Sequence, residues 1–105
     1  MIGKSLASLL AGEVSDRDLA AVWLTPLLNE PSVIEDLARS RRPALLVGGE
    51  ADPTWHPDAM PRGREMDVLE LPGADHTLEV PGDPVTSLAG LARMTEAIMR
   101  FAERI

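Results

Sequence analysis

The stretch that decides the fold runs from Ala44 to Asp52 and reads Ala-Leu-Leu-Val-Gly-Gly-Glu-Ala-Asp. Its first four residues are a continuous apolar run of strand length, and the glycine pair ends that run. An apolar run without polar alternation is typical of a strand covered on both faces in a parallel sheet. Because α/β proteins place their sites in the loops at the carboxyl ends of such strands, Asp52 is a candidate functional residue.

Similar apolar runs lie on both sides of this stretch, and helical patterns separate them. Alternation of this kind predicts parallel strands with right-handed crossovers and helices on the two sheet faces. We therefore predict a single domain over residues 1–105, with an α/β fold of three layers and a parallel sheet of about three full strands. The predicted strands are residues 19–24, 44–48 and 67–71, and the predicted helices are residues 5–12, 31–41 and 84–104.

The two ends of the chain carry further expectations. Gly12 is predicted to stop the first helix. Met1 and Ile2 resemble the end of a strand whose beginning lies outside the sequence, so the architecture is predicted to be truncated. An unpaired sheet edge is then expected beside Leu19 and its strand. The buried stripe of the last helix is predicted to consist of Leu88, Leu91, Met94, Ile98, Phe101 and Ile105.

Composition excludes several classes of function. The formal net charge is −7, which argues against nucleic acid and against an anionic membrane surface as partners. There is no cysteine, so disulfides and thiolate chemistry are excluded. No signal peptide or membrane span is recognised, and a cytoplasmic location is therefore expected.

Ser5 lies in Gly3-Lys4-Ser5-Leu6-Ala7, which has the form small-x-Ser-x-small at a predicted strand-to-helix junction. A nucleophile on a turn this tight leaves no room for large side chains two positions before or after it. The backbone N–H of Leu6 would then be one oxyanion donor. Two other interpretations stay open: Ser5 as a simple helix N-cap, and Gly3-Lys4-Ser5 as the end of a phosphate-binding loop.

Two more residues complete a candidate constellation. His76 follows the third predicted strand in Gly73-Ala74-Asp75-His76, and an imidazole can take a serine proton and return it. Asp52 can orient that histidine, although it can equally cap a turn with Pro53. His56, between Trp55 and Pro57, is interpreted as a surface or pocket-rim residue, and no metal or other cofactor is predicted.

The order Ser5, Asp52, His76 is the Ser–acid–His order of α/β-hydrolases. The segments around these residues resemble the nucleophile elbow, acid loop and histidine loop of that superfamily, and the small cap-less members of dienelactone-hydrolase type are the most similar. The resemblance covers the whole chain but only the second half of that fold. It departs at position 7, where alanine replaces a common glycine.

The resemblance implies a serine hydrolase for a small ester or related acyl substrate, with Ser5 as nucleophile, His76 as base and Asp52 as its orienting acid. The alternative is a non-catalytic remnant or interaction module of the same fold. Because half of the fold is missing, we expect homo-oligomers or a complementing N-terminal segment. The substrate pocket is predicted to be lined by Trp23, Thr25, Trp55 and Leu78.

Overall fold

The computed structural model describes residues 2–5, 8, 11–17, 19–60 and 66–105. Within those residues the chain forms four strands, three α-helices and a short 3-10 turn at Pro57–Ala59, and Ser5 and Ser8 are also in 3-10 structure. The elements in chain order are β1 (Ile2–Lys4), α1 (Ala11–Asp16), β2 (Ala21–Leu24), α2 (Pro31–Arg39), β3 (Ala44–Gly49), β4 (Met66–Leu71) and α3 (Pro84–Arg104).

The strands form one parallel sheet in the order β1-β2-β3-β4. This confirms the predicted α/β fold and the parallel pairing of the three predicted strands. In the register, Val22 of β2 lies between Ile2 of β1 and Leu45 of β3. Strand order therefore follows chain order, and the carboxyl ends of all four strands meet at one edge of the sheet.

The open edge of the sheet lies one strand further out than predicted. We expected an unpaired edge beside Leu19, but β1 pairs with β2 on that side. In the described part of the chain β1 pairs with β2 alone, and 59% of the Ile2 surface is exposed. Three residues of β1 suffice for this pairing because a parallel ladder needs little more than extended backbone in register.

Alternation along the strands separates two apolar clusters, one on each sheet face. Trp23 and Leu46 face α1 and α2, where they pack with Val33 and Leu37. The neighbouring residues Val22, Leu45 and Val47 face the other way and pack against Phe101 of α3. The helices on both faces confirm the predicted three layers.

Two helix boundaries differ from the sequence prediction. Helix α1 runs through Gly12, so the predicted stop at that residue is wrong. Gly12 instead lies against the side chains of Asp36 and Arg39 on α2, where the absence of a side chain lets the two helices approach. Residues 6, 7, 9 and 10 of the predicted first helix lie outside the described residues. Helix α2 ends at Arg39, two residues early, with Ser40 as its cap.

Helix α3 has the predicted boundaries but not the predicted buried stripe. Its N-cap is Asp83, whose carboxylate accepts a hydrogen bond from the Thr86 backbone N–H at 3.0 Å. Phe101 is buried, whereas Leu88 and Leu91 are 67% and 50% exposed. The two leucines line a cavity that Lys4 of β1 also borders. None of the described helices is long and apolar enough to cross a bilayer.

Candidate active site

Ser5 follows β1 directly and has a strained backbone. Its φ is 51°, in the left-handed region that a residue with a Cβ rarely adopts. Gly3, two residues earlier, lies against the indole ring of Trp23, and a Cβ at that position would collide with the ring. The predicted need for a small residue before the serine therefore has a local cause in the core. Strained backbone of this kind is found more often at functional sites than elsewhere.

The side chains of Ser5, His76 and Asp52 form one continuous hydrogen-bonded chain. Ser5 Oγ lies 2.7 Å from His76 Nε2, and His76 Nδ1 lies 2.6 Å from Asp52 Oδ2. The Asp52 side chain is fully buried, whereas 39% of the His76 side chain is exposed. The structure thus brings together the three residues that the sequence predicted as one site, and leaves the imidazole open to a ligand.

Asp52 is held as a carboxylate. Burial by itself raises the pKa of Asp52, but hydrogen bonds from the Thr54 backbone, from His76 and from the Thr54 hydroxyl outweigh it, and the pKa lies below 3.8. An ionised carboxylate can only accept hydrogen bonds. His76 Nδ1 therefore carries the proton and donates a hydrogen bond to Asp52. His76 Nε2 is then the acceptor for the Ser5 hydroxyl.

Thr54 occupies the second oxygen of this carboxylate. Its backbone N–H and its hydroxyl each donate to Asp52 Oδ1 at 2.8 Å. The same hydroxyl oxygen lies 3.3 Å from His76 Nδ1. Asp52 is therefore fixed on one oxygen by Thr54 and presents the other to the imidazole. Asp52 therefore both caps the turn that contains Pro53 and contacts His76.

The loops that carry Asp52 and His76 are joined through their backbones. The N–H of Ala51 donates to the carbonyl of Ala74 at 2.9 Å, and the N–H of Glu50 donates to the carbonyl of Leu71 at 3.1 Å. Gly49 makes this contact possible, because a Cβ there would collide with the Ala74 carbonyl. The distance between acid and imidazole is thus fixed by main-chain contacts as well as by the side chains.

Asp75 holds the turn that presents His76. Its Oδ1 accepts from the Thr77 hydroxyl at 2.6 Å, from the Thr77 N–H at 2.9 Å and from the Glu79 N–H at 3.2 Å. The hydrogen bond from the Thr77 hydroxyl is the main reason why the pKa of Asp75 lies below its usual value. Leu78, in the same turn, has φ of 64°. The imidazole therefore projects from a tightly closed turn.

Sequence reasoning missed two polar residues of the site, Thr54 and Ser8. Ser8 is fully buried, and its hydroxyl donates to the Ser5 carbonyl at 2.7 Å while accepting from the Leu27 N–H at 3.0 Å. It thereby ties the serine turn to the loop after β2. The available signal was local: a hydroxyl three residues after Ser5, and another two residues after Asp52, both spacings at which side chains bond nearby backbone.

The two tryptophans of the predicted substrate pocket are almost fully buried, and their role in binding substrate stays a prediction. Trp23 is 1% exposed and Trp55 is 5% exposed, and both pack in the cluster under α1 and α2. Trp55 lies over Gly48, and its Nε1 donates to Glu70 Oε1 at 2.8 Å. Their large rings fill the space above two strand glycines, and Trp55 also borders a cleft that His56 and Glu70 line.

The other two predicted pocket residues have different positions. Thr25 is fully buried directly after β2, with φ of 48° and a hydroxyl that has no hydrogen-bond partner among the described residues. Leu78 lines a cavity of about 590 Å³ between α3 and the sheet. Leu78 therefore borders a cavity and Thr25 is a strained, closed position, and the substrate-binding role of both stays a prediction.

The remaining predictions concern Leu6, His56 and metals. Leu6 lies outside the described residues, so its oxyanion role stays a prediction. His56 is exposed and directly precedes the 3-10 turn at Pro57–Ala59. It is not a member of the hydrogen-bonded chain of Ser5, His76 and Asp52. Among the described residues, no group of three His, Asp or Glu side chains is close enough to hold a metal ion.

Comparison of the sequence with protein-family models gave no match, and comparison with curated proteins gave none either. Among solved structures, the chain is similar to the crystal structure of an esterase domain from a Rhodothermus marinus protein, with a TM-score of 0.58 and 16% sequence identity. The match covers 98% of this chain and 60% of that chain. At this identity the likeness shows the fold alone.

Proposed function

We propose that this chain carries the catalytic half of a serine hydrolase of the α/β-hydrolase type, acting on an ester or a related small acyl substrate. The observation that carries the proposal is the unbroken contact chain from Ser5 Oγ through both ring nitrogens of His76 to a buried carboxylate. Strained φ at Ser5 supports the same role, as does the esterase fold of the structural relative. Ser5 is the nucleophile, His76 the base and Asp52 the orienting acid.

Acylation begins with the Ser5 hydroxyl. Its oxygen forms a bond to the substrate carbonyl carbon while His76 Nε2 takes the proton. The imidazolium that results is stabilised by the Asp52 carboxylate at Nδ1. When the tetrahedral intermediate collapses, the bond to the alcohol oxygen breaks, and the alcohol leaves with the proton from Nε2.

Deacylation repeats these proton transfers with water. A water molecule gives a proton to His76 Nε2 and forms a bond to the acyl carbon. The bond to Ser5 Oγ then breaks, the serine oxygen recovers the proton, and the acid is released. The His76 side chain is 39% exposed, so water reaches the imidazole while Asp52 stays buried.

A second candidate function is an interaction module that keeps the fold without turnover. It is favoured by exposed apolar side chains, among them Ile2 and Leu88. Contiguous apolar surface of this kind marks a contact site on soluble proteins. This function predicts binding of a partner with no dependence on the Ser5 hydroxyl.

Hydrolysis of p-nitrophenyl acetate tests the proposed function. We expect Ser5→Ala to lose activity by at least about 10³-fold, towards the background rate. Ser32→Ala is the matched control, because Ser32 is an exposed serine in the first turn of α2 and has no place in the site. Equal rates for wild type, Ser5→Ala and Ser32→Ala would reject catalysis and favour the interaction module.

A further inference from the structure

A cavity of about 590 Å³ lies between α3, the loop after His76 and the ends of β1 and β2. This volume falls in the range of roughly 300–1,000 Å³ that is usual for sites of small organic ligands. The walls are formed mainly by aliphatic side chains and include Leu24, Leu71, Leu78, Leu91 and Met94. An apolar cavity of this size is large enough for a flexible hydrocarbon chain.

Residues that neighbour the proposed active site in sequence line the cavity. Lys4, one of its wall residues, immediately precedes Ser5, and Thr77 and Leu78 immediately follow His76. Because consecutive Cα atoms are about 3.8 Å apart, two walls of the cavity begin one residue away from the reacting groups. A group bonded to Ser5 Oγ is therefore held next to a residue of the cavity wall.

Apart from Lys4 and Glu79, the polar side chains of the wall form hydrogen bonds within the chain. The Ser87 hydroxyl accepts from the Val80 N–H at 2.9 Å and donates to the Asp83 carbonyl at 2.8 Å. The Asp83 carboxylate is occupied by Thr86. The carboxylates of Glu79 and Asp83 also disfavour an anionic ligand at this end of the cavity. The chemistry of the wall thus favours an uncharged, apolar group.

Leu78 adds an independent observation. It lies in the wall with φ of 64°, a costly conformation for a residue with a large side chain. Strained backbone of this kind concentrates at ligand sites, where the surrounding structure maintains it. The strained residue follows His76 by two positions and borders the cavity. The histidine turn and the cavity wall therefore share this residue.

We infer that this cavity holds the acyl chain of the substrate. The protein then prefers esters or thioesters of medium-length, unbranched fatty acids over acetyl esters. The inference rests on the proposed function, because it is Ser5 that carries the acyl group during turnover. We assign the cavity to the acyl part of the ester and not to the alcohol part. The acyl chain stays bonded to Ser5 after the alcohol has left, next to the wall residue Lys4.

A series of p-nitrophenyl esters tests the preference. From acetate through butyrate to octanoate, kcat/KM should rise by roughly two- to fourfold for each added methylene, as expected when methylenes leave water. Leu91→Lys places a charge in the wall and should lower the octanoate-to-acetate ratio by at least about tenfold. Met99→Lys is the matched control, because Met99 is an exposed apolar residue of the same helix outside the cavity wall, and the ratio should not change.

A binding measurement separates this inference from the proposed function. Octan-1-ol should displace Nile red from the Ser5→Ala protein and from its Met99→Lys derivative, but at least about tenfold less effectively from its Leu91→Lys derivative. If the wild-type protein does not hydrolyse p-nitrophenyl acetate but octan-1-ol still displaces Nile red as expected, the proposed function is rejected and the binding of an apolar chain in the cavity is not. A flat chain-length series in an active enzyme, or equal displacement in the Leu91→Lys and Met99→Lys derivatives, would overturn the inference. So would a dimer that Leu91→Lys dissociates and Met99→Lys does not, because a second copy would then fill the cavity.

Discussion

At Asp52, one buried carboxylate serves two neighbours with its two oxygens. Thr54 donates twice to Oδ1, and His76 donates to Oδ2. A buried carboxylate with fewer donors would tend to be protonated and could then no longer hold Nδ1 as a donor. Thr54 is therefore a positioning residue, which acts on the imidazole through the acid.

Thr54→Val removes the hydroxyl and keeps the shape of the side chain. We expect acylation of Ser5 to slow by about tenfold, since one hydrogen bond to a charged group is lost and the ring orientation loosens. The pKa of Asp52 should also rise, because one of the groups that lower it is gone. The rate of ester hydrolysis under single-turnover conditions measures the first effect.

Thr54→Ser is the control for this change. It retains the hydroxyl, so most of the acylation rate should return while any effect of packing persists. A threonine that serves only the fold would behave differently, because both variants would then lower Tm without a selective effect on acylation. Equal acylation rates in Thr54→Val and wild type would contradict the positioning role.

The three residues of the candidate site were predictable from the sequence, and their supporting contacts were not. Ser5, Asp52 and His76 each follow a strand, and parallel strands bring their carboxyl ends to one edge. The partners of Ser8 and Thr54 depend on which loops meet in three dimensions. The positions of Trp23 and Trp55 depend on rings packing over glycines of distant segments, which strand patterns do not encode.

At the scale of elements, the site depends on how closely the loop after β3 meets the loop after β4. Gly49→Ala should destabilise the protein by about 1–3 kcal/mol, because the new Cβ would meet the Ala74 carbonyl, which is backbone and cannot rotate away. Activity should fall with it, since Asp52 and His76 are carried by these two loops. Urea denaturation and ester hydrolysis measure the two effects.

Gly90→Ala is the control for this glycine. Gly90 lies within α3, and a Cβ there would make only an ordinary contact with a Leu71 methyl at 3.5 Å. The variant should be as stable as wild type or more stable by roughly 0.5–1 kcal/mol, because glycine weakens a helix interior. Destabilisation of Gly90→Ala equal to that of Gly49→Ala would contradict the assignment of Gly49 to a close approach.

The start of α3 should make stability depend on pH. The Thr86 hydroxyl, followed by its backbone N–H, lowers the pKa of Asp83 below 3.8. A carboxyl group with a lowered folded-state pKa adds stability above its unfolded pKa and loses it as the pH falls through the folded value. We expect Asp83→Asn to retain the cap near pH 7, and to reduce the decline of Tm below about pH 4. Thermal unfolding followed by circular dichroism checks this.

Asp83→Ala completes this comparison, because it removes the cap at every pH. Its Tm should lie below that of Asp83→Asn over the whole range. The remaining decline of Tm in acid is expected from Asp52 and Asp75, whose pKa values are lowered as well. Identical acid profiles for wild type and Asp83→Asn would show that the cap does not depend on the carboxylate.

At the scale of the whole molecule, apolar surface remains exposed on the side of β1. Ile2 of that strand is 59% exposed, and Leu88 on the neighbouring flank of α3 is 67% exposed. Hydrophobic periodicity predicted which residues of α3 are apolar, but periodicity cannot tell how much of the apolar arc another element covers. The predicted stripe was therefore too wide, for a reason that lies outside the helix.

We expect the chain to associate through the edge of β1, either with its own copy or with a complementing N-terminal segment. An unpaired strand edge beside apolar side chains favours pairing, whereas an edge lysine opposes it. Wild-type protein at micromolar concentration should sediment as a dimer or larger species, and Ile2→Lys should shift it toward monomer. Val68→Lys, on the opposite edge strand β4, is the control that should leave association unchanged. A monodisperse wild-type monomer would contradict this expectation.

The central claim is that His76 and Asp52 activate the Ser5 hydroxyl, and reaction with a fluorophosphonate tests it most directly. The account predicts that the phosphonate adduct maps to the Ser5 peptide in mass spectrometry. It also predicts that labelling is lost in His76→Ala and slowed in Asp52→Asn, because the wrong imidazole tautomer is then favoured. Wild-type protein that is folded yet unlabelled at Ser5, or labelled equally well in His76→Ala, would contradict the account.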